Sequence, residues 1–403
     1  MKYIVLVGDG MADRPLKEFD DKTPLEVARM PNMNYIAKEG TVGCTVTVPQ
    51  GLSPASDVAN MALLGYDPRK YYSGRGPLEA ANMGVVLKEN DVAFRCNVVT
   101  VSDDKMADYS AGHITNKEAH VIIDFVNKRL GSEAIRFYPG VSYRHLAVIN
   151  SKKAKLKKED LINAICTPPH DILGKPIARY LPRGAASGFL TDLMLKSQDI
   201  LASHDVNRVR VDLKENPANM IWLWGQGIKP TMPLFSKKYN LKGSIISAVD
   251  LIKGMGKIID LEPIDVPGAT GYYDTDYQAK ADYALNSLKK KDFVFIHVEA
   301  PDEAGHNGDV RQKLLAIENF DKMVVGTVLN HFKETKEDFR VLVVPDHATP
   351  ISVRTHTNDP VPFAMYGAGI KKDSIKSYSE VEAKKSKLFI EDGYKLMDRF
   401  LKE

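Results

Sequence analysis

An aspartate and a histidine stand side by side directly after an apolar run near the end of the chain. The run is Val341 to Val344, and Pro345-Asp346-His347 follows it. A short β-branched apolar run is typical of a buried parallel strand. Adjacent side chains on a strand point to opposite faces, so Asp346 and His347 can bind one ion only where the strand ends, and Pro345 supplies that break. The sequence predicts a metal-binding strand end; the alternative is two solvated polar side chains.

Three further stretches place aspartate or histidine in a similar position. A second apolar run, Asp292–Val298, precedes Asp302 and His306, whose i, i+4 spacing puts both on one face of a helical turn. The first strand ends at Asp9, and His356 follows the strand described above by a short loop. Carboxylate and imidazole ligands suit Zn²⁺, Mn²⁺ and similar ions. Four such clusters in one α/β chain predict a dinuclear metal site.

Ser56 is the predicted nucleophile. The stretch from Gln50 to Met61 reads as a strand, a tight turn and a helix start, with Ser56 at the helix N-terminus. Free backbone N–H groups and the helix dipole favour an anion there, which suits a serine that carries a phosphoryl group. The alternative interpretation is a capping serine, and the neighbouring metal ligands favour the nucleophile.

The candidate ligands form two sets, one for each ion. The predicted sets are Asp9, Ser56, Asp346 and His347 for one ion and Asp302, His306 and His356 for the other. An ion that contacts the serine hydroxyl lowers its pKa, and a second ion neutralises phosphoryl oxygens during an in-line displacement. Single-ion zinc hydrolases use three protein ligands and a water, so seven ligands including a serine predict two ions and a covalent phosphoserine.

Composition places the chain among soluble globular proteins. Of its 403 residues, 44% are hydrophobic and 27% are charged, and a net charge of +3 does not argue for nucleic-acid binding. Cys44, Cys96 and Cys166 are scattered and odd in number, which fits a reducing cytoplasm and neither a disulfide framework nor a CxxC zinc site. The apolar start is too short for a signal peptide, and no run approaches a membrane span. We therefore expect a cytoplasmic protein with a small-molecule partner.

Strands and helices alternate along the second half of the chain. The alternation runs from residue 243 to residue 344, which predicts an α/β fold with a mainly parallel sheet covered by helices on both faces. Such sheets bind ligands at the carboxyl ends of their strands, where Asp9, Asp302 and Asp346 fall. A charged helix is predicted from about Glu380 to Leu401.

The middle of the chain has a different character. From about Met83 the segments read as antiparallel strands and helices without a strand-end metal cluster. We therefore predict a discontinuous catalytic domain, residues 1–82 and 216–403, with an inserted α+β substrate-binding domain at residues 83–215. The apolar run Asn219–Trp224 is assigned to the sheet of the catalytic domain.

Together these motifs resemble the alkaline phosphatase superfamily. Within it the chain is similar, over nearly its whole length, to the archaeal-type cofactor-independent (2,3-bisphosphoglycerate-independent) phosphoglycerate mutases. The stretches that carry the resemblance are VGDGMAD, ASDVANMALLGYDP, YYSGRGPLEA, FRCNVVTV, PANMIWLWGQG, GATGYYDTD, APDEAGH and PDHATP. The resemblance implies a phosphoserine at Ser56 and two Mn²⁺-like ions, with Zn²⁺, Co²⁺ or Mg²⁺ as alternatives, and no 2,3-bisphosphoglycerate. It also implies phosphoryl transfer between the 3- and 2-hydroxyls of glycerate.

A mutase must re-orient glycerate without releasing it, which a closing substrate domain achieves by excluding water and binding the carboxylate with arginine. The candidate substrate-binding residues are Arg75, His113, Arg144, His145, His170 and Arg183. A surface or structural role is the alternative for each, and His113 and His145 are equally compatible with core histidines. Asp171 is the predicted general base at the glycerate hydroxyl. His297, inside a strand, is predicted to support the Asp302 site.

Asn60 departs from the resemblance, since many mutases of this type carry histidine there. The stretches SDVANM, DYSAGHI and HVEAPDEAGH resemble a bacterial branch of the family for which homoserine kinases have been proposed. Three functions stay open: a mutase, which we favour, another phosphoryl transferase such as homoserine kinase, and a metal-dependent phosphomonoesterase. They differ in what accepts the phosphoryl group from Ser56, and the inserted domain selects the acceptor.

Overall fold

The structure is a computed structural model that describes residues 1–402. Its strands, in chain order, are β1 (Lys2–Gly8), β2 (Thr41–Thr45), β3 (Asp91–Ser102), β4 (Lys105–Asp108), β5 (Ile135–Val141), β6 (Arg144–Asn150), β7 (Met220–Gly227), β8 (Gly243–Ile246), β9 (Glu262–Pro263), β10 (Phe293–Val298), β11 (Phe339–Val344), β12 (Val361–Gly367) and β13 (Phe389–Ile390). Its α-helices are α1 (Pro24–Val27), α2 (Pro31–Glu39), α3 (Ser56–Leu63), α4 (Pro68–Tyr71), α5 (Arg75–Asn82), α6 (Asn116–Leu130), α7 (Lys158–Ile162), α8 (Ser187–Leu201), α9 (Asp205–Asp212), α10 (Phe235–Tyr239), α11 (Asp250–Ile258), α12 (Tyr277–Leu288), α13 (Ala300–Asn307), α14 (Val310–Asn319), α15 (Gly326–Thr335), α16 (Glu380–Lys385) and α17 (Lys395–Lys402). Turns of 3₁₀ helix lie at Lys17–Phe19, Pro169–Ile172 and Ile177–Arg179, and a π-helical turn, Phe320–Val325, joins α14 to α15.

The first compact unit contains Met1–Tyr72 and the chain from Thr231 onwards. Its eight-stranded sheet has the order β13-β2-β12-β11-β1-β10-β8-β9. β1 lies between β10 and β11 and is parallel to both, and β8 extends the parallel part beyond β10. The sheet is therefore mainly parallel, as the sequence predicted, with antiparallel pairing confined to β12 and its two neighbours.

Helices cover both faces of this sheet because alternate strand residues are apolar on each side. On one face, Ile4 and Leu6 of β1 pack in a core with residues of α2, α12, α14 and α15. On the other face, Tyr3 packs edge-on against Phe400 of α17, and Phe293 against Phe235 of α10. The central strands are thus buried on both sides, which explains their nearly continuous apolar sequences.

The second unit, Ser73–Pro230, is built on a separate five-stranded sheet. β3 is its central strand and pairs antiparallel with β4, β6 and β7, while β5 pairs with β6. The helices α6 and α8 contribute Ile122 and Leu190 to its hydrophobic core, together with Phe94 and Trp222 from the sheet. The unit therefore has its own core.

The boundaries of this second unit differ from the predicted 83–215. The helix α5, before the predicted start, packs on β3 and β7. The run Asn219–Trp224 does not enter the large sheet, because β7 pairs with β3 from Ala93 to Val99. The sequence could not reveal this because an apolar strand carries no mark of the sheet that it joins.

The predicted helix from Glu380 to Leu401 is also wrong. α16 and α17 are separated by β13, whose Phe389 and Ile390 pair in parallel with β2. Backbone hydrogen bonding to a sheet edge here overrides the helical preference of the charged sequence. Of the helices in residues 1–402, none combines the length and apolar character that crossing a bilayer requires.

A buried ion pair joins three parts of the first unit. Lys313 of α14 is fully buried, and its Nζ lies 2.6 Å from Asp13 Oδ2 and donates to the Thr349 carbonyl at 2.7 Å. The Asp13 amide donates to Glu380 Oε1 at 2.9 Å, and Thr23 Oγ1 donates to Glu380 Oε2 at 2.6 Å. Burial raises the pKa of the Glu380 carboxyl to about 7. This network fixes the loop after β1 against α14 and α16.

Glu380→Gln should stabilise the protein at about pH 8 but hardly at pH 4.5. Because the folded-state pKa of about 7 exceeds the ordinary 4.5, the unfolded chain loses this proton first as the pH rises. The Glu380 carboxyl therefore lowers the free energy of unfolding as the pH rises from 4.5 to about 7. Above pH 7 the loss reaches about 3 kcal/mol. Glutamine removes this charge and keeps a carbonyl oxygen for the Asp13 amide.

Denaturant unfolding at the two pH values measures this difference. Glu382→Gln is the control because Glu382 lies on the same helix, is only partly buried and pairs with Lys385. An equal effect of Glu380→Gln at both pH values would contradict the prediction.

Candidate active site

Three aspartates meet at the carboxyl ends of the adjacent strands β1, β10 and β11. Asp9 follows β1, Asp346 follows β11 by one residue, and Asp302 lies in the first turn of α13 after β10. The Asp9 amide donates to the Val298 carbonyl at 3.0 Å, and the Gly10 amide donates to Asp346 Oδ1 at 3.1 Å. Parallel pairing thus brings carboxylates from distant parts of the sequence to one edge of the sheet.

Gly10 permits this close approach. Its φ is +59°, and a Cβ there would lie 2.5 Å from Asp302 Oδ1 and 2.6 Å from Thr349 Oγ1. Thr349 Oγ1 in turn donates to Asp302 Oδ1. A side chain at position 10 would therefore clash with Asp302 and Thr349.

Ser56 is the first residue of α3, as the sequence predicted. Its Oγ lies 3.1 Å from His347 Nε2. Asn60, one turn later, donates from Nδ2 to the Ser56 carbonyl at 2.8 Å and to Asp346 Oδ2 at 2.7 Å. Asp57 accepts from the Val58 amide at 3.0 Å and fixes the first turn. The serine is therefore presented to the carboxylate cluster at a helix N-terminus, where the dipole favours an anion.

One candidate metal-binding group consists of Asp302, His347 and His356. His356 Nε2 lies 3.4 Å from Asp302 Oδ1. His306 joins it, since its Nε2 lies 3.2 Å from Asp302 Oδ2 and 2.9 Å from His356 Nε2. Four side chains thus direct their donor atoms to one place.

A second candidate group consists of Asp9, His297 and Asp346, all buried. His297 Nε2 lies 3.4 Å from Asp9 Oδ2 and 3.6 Å from Asp346 Oδ2. His347 Nε2 lies 3.4 Å from Asp9 Oδ1. Because His347 is close to Asp9, Ser56 and the first group, it lies between the two candidate sites.

Three of the histidines are oriented by contacts at Nδ1. The Nδ1 of His306 faces the Arg354 carbonyl at 3.1 Å, that of His356 faces the Pro54 carbonyl at 3.4 Å, and that of His347 faces Thr349 Oγ1 at 3.2 Å. An oxygen at Nδ1 favours a proton on that nitrogen, so Nε2 is the nitrogen available to a metal once the imidazole is neutral. Metal-binding histidines are commonly oriented in this way.

The ionisation of the cluster shows how crowded its charges are. Burial and the nearby Asp346 carboxylate raise the pKa of Asp9 well above its ordinary value. Burial would also raise the pKa of Asp302, but hydrogen bonds from His306 and His356 outweigh it and hold that pKa well below its usual range. The hydrogen bond to Asp302 raises the pKa of His306 to about 9. Burial lowers the pKa of His347 to about 4, which favours a neutral imidazole.

This donor set fits divalent metal ions. The oxygens Asp9 Oδ1 and Asn60 Oδ1 are buried and accept no hydrogen bond from the described residues, although buried polar atoms are normally paired. The separations of 3.4 to 3.6 Å between His297 and the two carboxylates exceed hydrogen-bond lengths. They match the edge of a tetrahedral site with bonds of about 2.1 Å. Carboxylate and imidazole ligands together suit Zn²⁺, Mn²⁺ and related ions.

The seven predicted ligands therefore lie in one cluster, but the grouping by distance differs from the predicted sets. His347 groups with Asp302 as well as with Asp9. His297 was expected to support the Asp302 site, but it lies beside Asp9 and Asp346 instead. The sequence signal for a role of His297 was a histidine within an otherwise apolar strand. Its location is set by the parallel pairing of β10 with β1, where His297 lies opposite Val7.

The predicted substrate-binding residues of the second unit gather around aromatic side chains. The Arg75 and Arg95 guanidinium carbons lie 5.7 and 4.3 Å from the Trp224 ring centre, and the His170 ring lies 5.3 Å from it. Arg144 lies 5.5 Å from the Tyr143 ring. Sequence reasoning missed Arg95, which is mostly buried and paired with Glu79 at 2.9 Å. The His113 ring packs edge-on against Tyr143, at 6.3 Å between ring centres.

Three predicted residues have other surroundings. His145 is buried, accepts from the Gly140 amide at 3.0 Å, and has a pKa that burial lowers to about 3, which indicates a structural role. Strand alternation turns it away from Arg144. Arg183 is exposed and pairs through its backbone with Ile165. Asp171 is also exposed, and its Oδ1 lies 3.7 Å from His170 Nε2.

Comparison with known proteins identifies the family. The model of the 2,3-bisphosphoglycerate-independent phosphoglycerate mutases matches residues 37–207. A relative from Methanothrix thermoacetophila named 2,3-bisphosphoglycerate-independent phosphoglycerate mutase is 51% identical over 99% of this chain and 97% of its own. The PH0037 protein from Pyrococcus horikoshii is 30% identical, with a TM-score of 0.82 over 99% of this chain and 96% of its own. The cofactor-independent phosphoglycerate mutase from Thermoplasma acidophilum is 27% identical, with a TM-score of 0.66 over 100% of this chain and 99% of its own. The chain belongs, as its motifs predicted, to the archaeal-type 2,3-bisphosphoglycerate-independent phosphoglycerate mutases.

Proposed function

We propose that this protein interconverts 3-phosphoglycerate and 2-phosphoglycerate through a phosphoserine at Ser56, with two divalent ions, preferably Mn²⁺, at the carboxylate–histidine cluster. The observation that carries the proposal is the position of Ser56 Oγ, 3.1 Å from His347 Nε2 at the start of α3. A nucleophile there would lie beside both candidate metal-binding groups. The names of the relatives support phosphoglycerate as the substrate.

The reaction balances without water or a second phosphate donor. Ser56 Oγ attacks the phosphorus of 3-phosphoglycerate, the bond to the 3-oxygen breaks, and the serine proton passes to that oxygen. The 2-oxygen of the retained glycerate then attacks the phosphoserine, Oγ leaves, and the proton of the 2-hydroxyl returns to the serine. Ions bound at the cluster would lower the pKa of the serine hydroxyl and neutralise phosphoryl charge.

The second unit is proposed to bind the carboxylate of glycerate. Arg144 is exposed beside Tyr143, and Arg75 is partly buried beside Trp224. Guanidinium groups suit carboxylate and phosphate because they can donate two parallel hydrogen bonds. We retain Asp171, adjacent to His170, as the proposed general base at the glycerate hydroxyl.

Removal of divalent ions should abolish activity and destabilise the fold. Mn²⁺ at about a hundred times its dissociation constant would add about 2.7 kcal/mol of stability per independent site. His356→Ala should lower this stabilisation, whereas His331→Ala, on α15, should not. Thermal unfolding with chelator and with Mn²⁺, together with metal analysis, measures the effect. A chelated native protein with full activity would contradict metal dependence.

Ser56→Ala should retain the metals but lose at least about 10⁴-fold in transfer, because the covalent intermediate cannot form. The measurement is 2-phosphoglycerate formation from 3-phosphoglycerate, coupled to enolase, with Mn²⁺ and without 2,3-bisphosphoglycerate. Ser53→Ala, an exposed serine in the preceding turn, is the control. Intact mass spectrometry of quenched native enzyme should detect phosphoserine.

The same experiment separates the alternatives. Activity that survives Ser56→Ala would exclude the covalent route. Phosphoserine that forms and then yields only inorganic phosphate would indicate a phosphomonoesterase. A metal-loaded, folded protein that forms no 2-phosphoglycerate would direct the search to another acceptor alcohol, homoserine first.

Arg144→Met should raise KM for phosphoglycerate about ten- to a hundredfold, the effect of losing a hydrogen bond to a charged group. Because the same contact would form in the ground and transition states, kcat should change little. Arg136→Met is the matched control, since Arg136 is an exposed arginine on the neighbouring strand β5. An unchanged KM in the Arg144 variant would remove this residue from the substrate site.

A further inference from the structure

A buried lysine and a buried glutamate lie directly behind the carboxylate cluster. Lys280 of α12 is 0% exposed, and Glu299, the residue after β10, is 3% exposed. The Lys280 Nζ lies 2.5 Å from Glu299 Oε2 and donates to the His297 carbonyl at 3.0 Å. Burying such a pair costs desolvation energy that its mutual attraction seldom exceeds. Its presence therefore calls for a role beyond stability.

The other oxygen of Glu299 faces the His297 ring. Glu299 Oε1 lies 3.3 Å from His297 Nδ1 and accepts from Ser247 Oγ at 2.8 Å and from the Ala248 amide at 2.7 Å. Both carboxylate oxygens are thus held by partners on separate elements, α12 and the segment after β8. The carboxylate cannot turn without breaking these contacts, so it defines the orientation of the imidazole.

The opposite nitrogen of His297 meets the two carboxylates of the second candidate group. Nε2 lies 3.4 Å from Asp9 Oδ2, 3.6 Å from Asp346 Oδ2 and 3.4 Å from Asn60 Nδ2. The chain Lys280, Glu299, His297 therefore runs from the helix α12 to the ion-binding oxygens, with every member buried. A carboxylate that orients an imidazole toward a metal site is a recurring arrangement, and its removal typically weakens metal binding 10- to 100-fold.

We propose that Lys280 and Glu299 are positioning residues that act through His297 to hold the Asp9 and Asp346 carboxylates in their ion-binding arrangement. The inference rests on the metal site of the proposed function. It assigns a task to two residues that lie behind His297 and belong to neither candidate metal-binding group. Without Glu299 the ring would lose its fixed orientation, and Nε2 would no longer be held 3.4 to 3.6 Å from the Asp9 and Asp346 carboxylates.

The test compares Lys280→Met, Glu299→Gln and the double variant with the native chain. Each full-length protein is stripped of metal and titrated with Mn²⁺ by calorimetry, and its metal-free unfolding is followed in parallel. The single variants leave one charge buried and unpaired, so both stability and affinity should fall. The double variant has no unpaired charge, so its metal-free stability should recover.

The affinity of the double variant decides the matter. We expect the affinity of one of the two Mn²⁺ sites to remain at least tenfold below that of the native protein, because the neutral amide of glutamine accepts a weaker hydrogen bond from Nδ1 than a carboxylate does and leaves the imidazole less basic. If Mn²⁺ binds the double variant as it binds the native chain, the pair is only structural and the inference is overturned. Arg210→Met, which removes a buried arginine paired with Glu118 in the second unit, is the control: it should lower stability without changing Mn²⁺ affinity.

Different results would overturn the proposed function and this inference. A native chain that binds no Mn²⁺ would overturn both the metal-dependent function and this inference. A native chain that binds two ions, with variants that bind them equally well, would overturn the inference alone.

Discussion

The main electrostatic constraint on the first unit is the repulsion among three carboxylates at one edge of its sheet. Parallel pairing of β1 with β10 and β11 brings Asp9, Asp302 and Asp346 together in a buried place. Two such charges 4 Å apart repel by about 4 kcal/mol at an effective dielectric constant of 20. The raised pKa of Asp9 is a direct consequence of burial and of its carboxylate neighbours. The fold must compensate this charge, and its polar groups nearby are arranged to do so.

Two buried lysines neutralise further carboxylates next to the cluster. Lys280 on α12 neutralises Glu299 behind the Asp9 and Asp346 side, while Lys313 on α14 pairs with Asp13 and binds the Thr349 carbonyl on the Asp302 side. Both lysines are fully buried in helices that pack on the same face of the sheet. Their helices therefore supply charge as well as apolar surface. The two ammonium groups reach their positions only when these helices pack on the sheet.

The strand-end aspartates could be predicted from sequence because each is local to one apolar run. Asp302 and His306 needed only the helical repeat, and Ser56 only a helix start. His297 was misplaced and Lys280 was missed, because their roles depend on which strands and helices become neighbours. The assignment of β7 and the domain boundaries failed for the same reason: an apolar strand such as Asn219–Trp224 fits either sheet. The sequence therefore predicted the residues at each strand end, but not which strands and helices become neighbours.

The division into two units separates two kinds of chemical requirement. The cluster around Ser56 lies on strand ends and helix starts, which allow little movement of the atoms that must meet the phosphorus. In the proposed function its ligands would recognise a phosphoryl group, a task common to a mutase, a kinase and a phosphatase. The choice of acceptor requires groups that distinguish glycerate from another alcohol or water. In the second unit, Arg95 is already paired with Glu79, whereas Arg144 is exposed. A guanidinium suits the carboxylate that glycerate and homoserine share, so only a group that meets the ammonium of homoserine would distinguish the two acceptors.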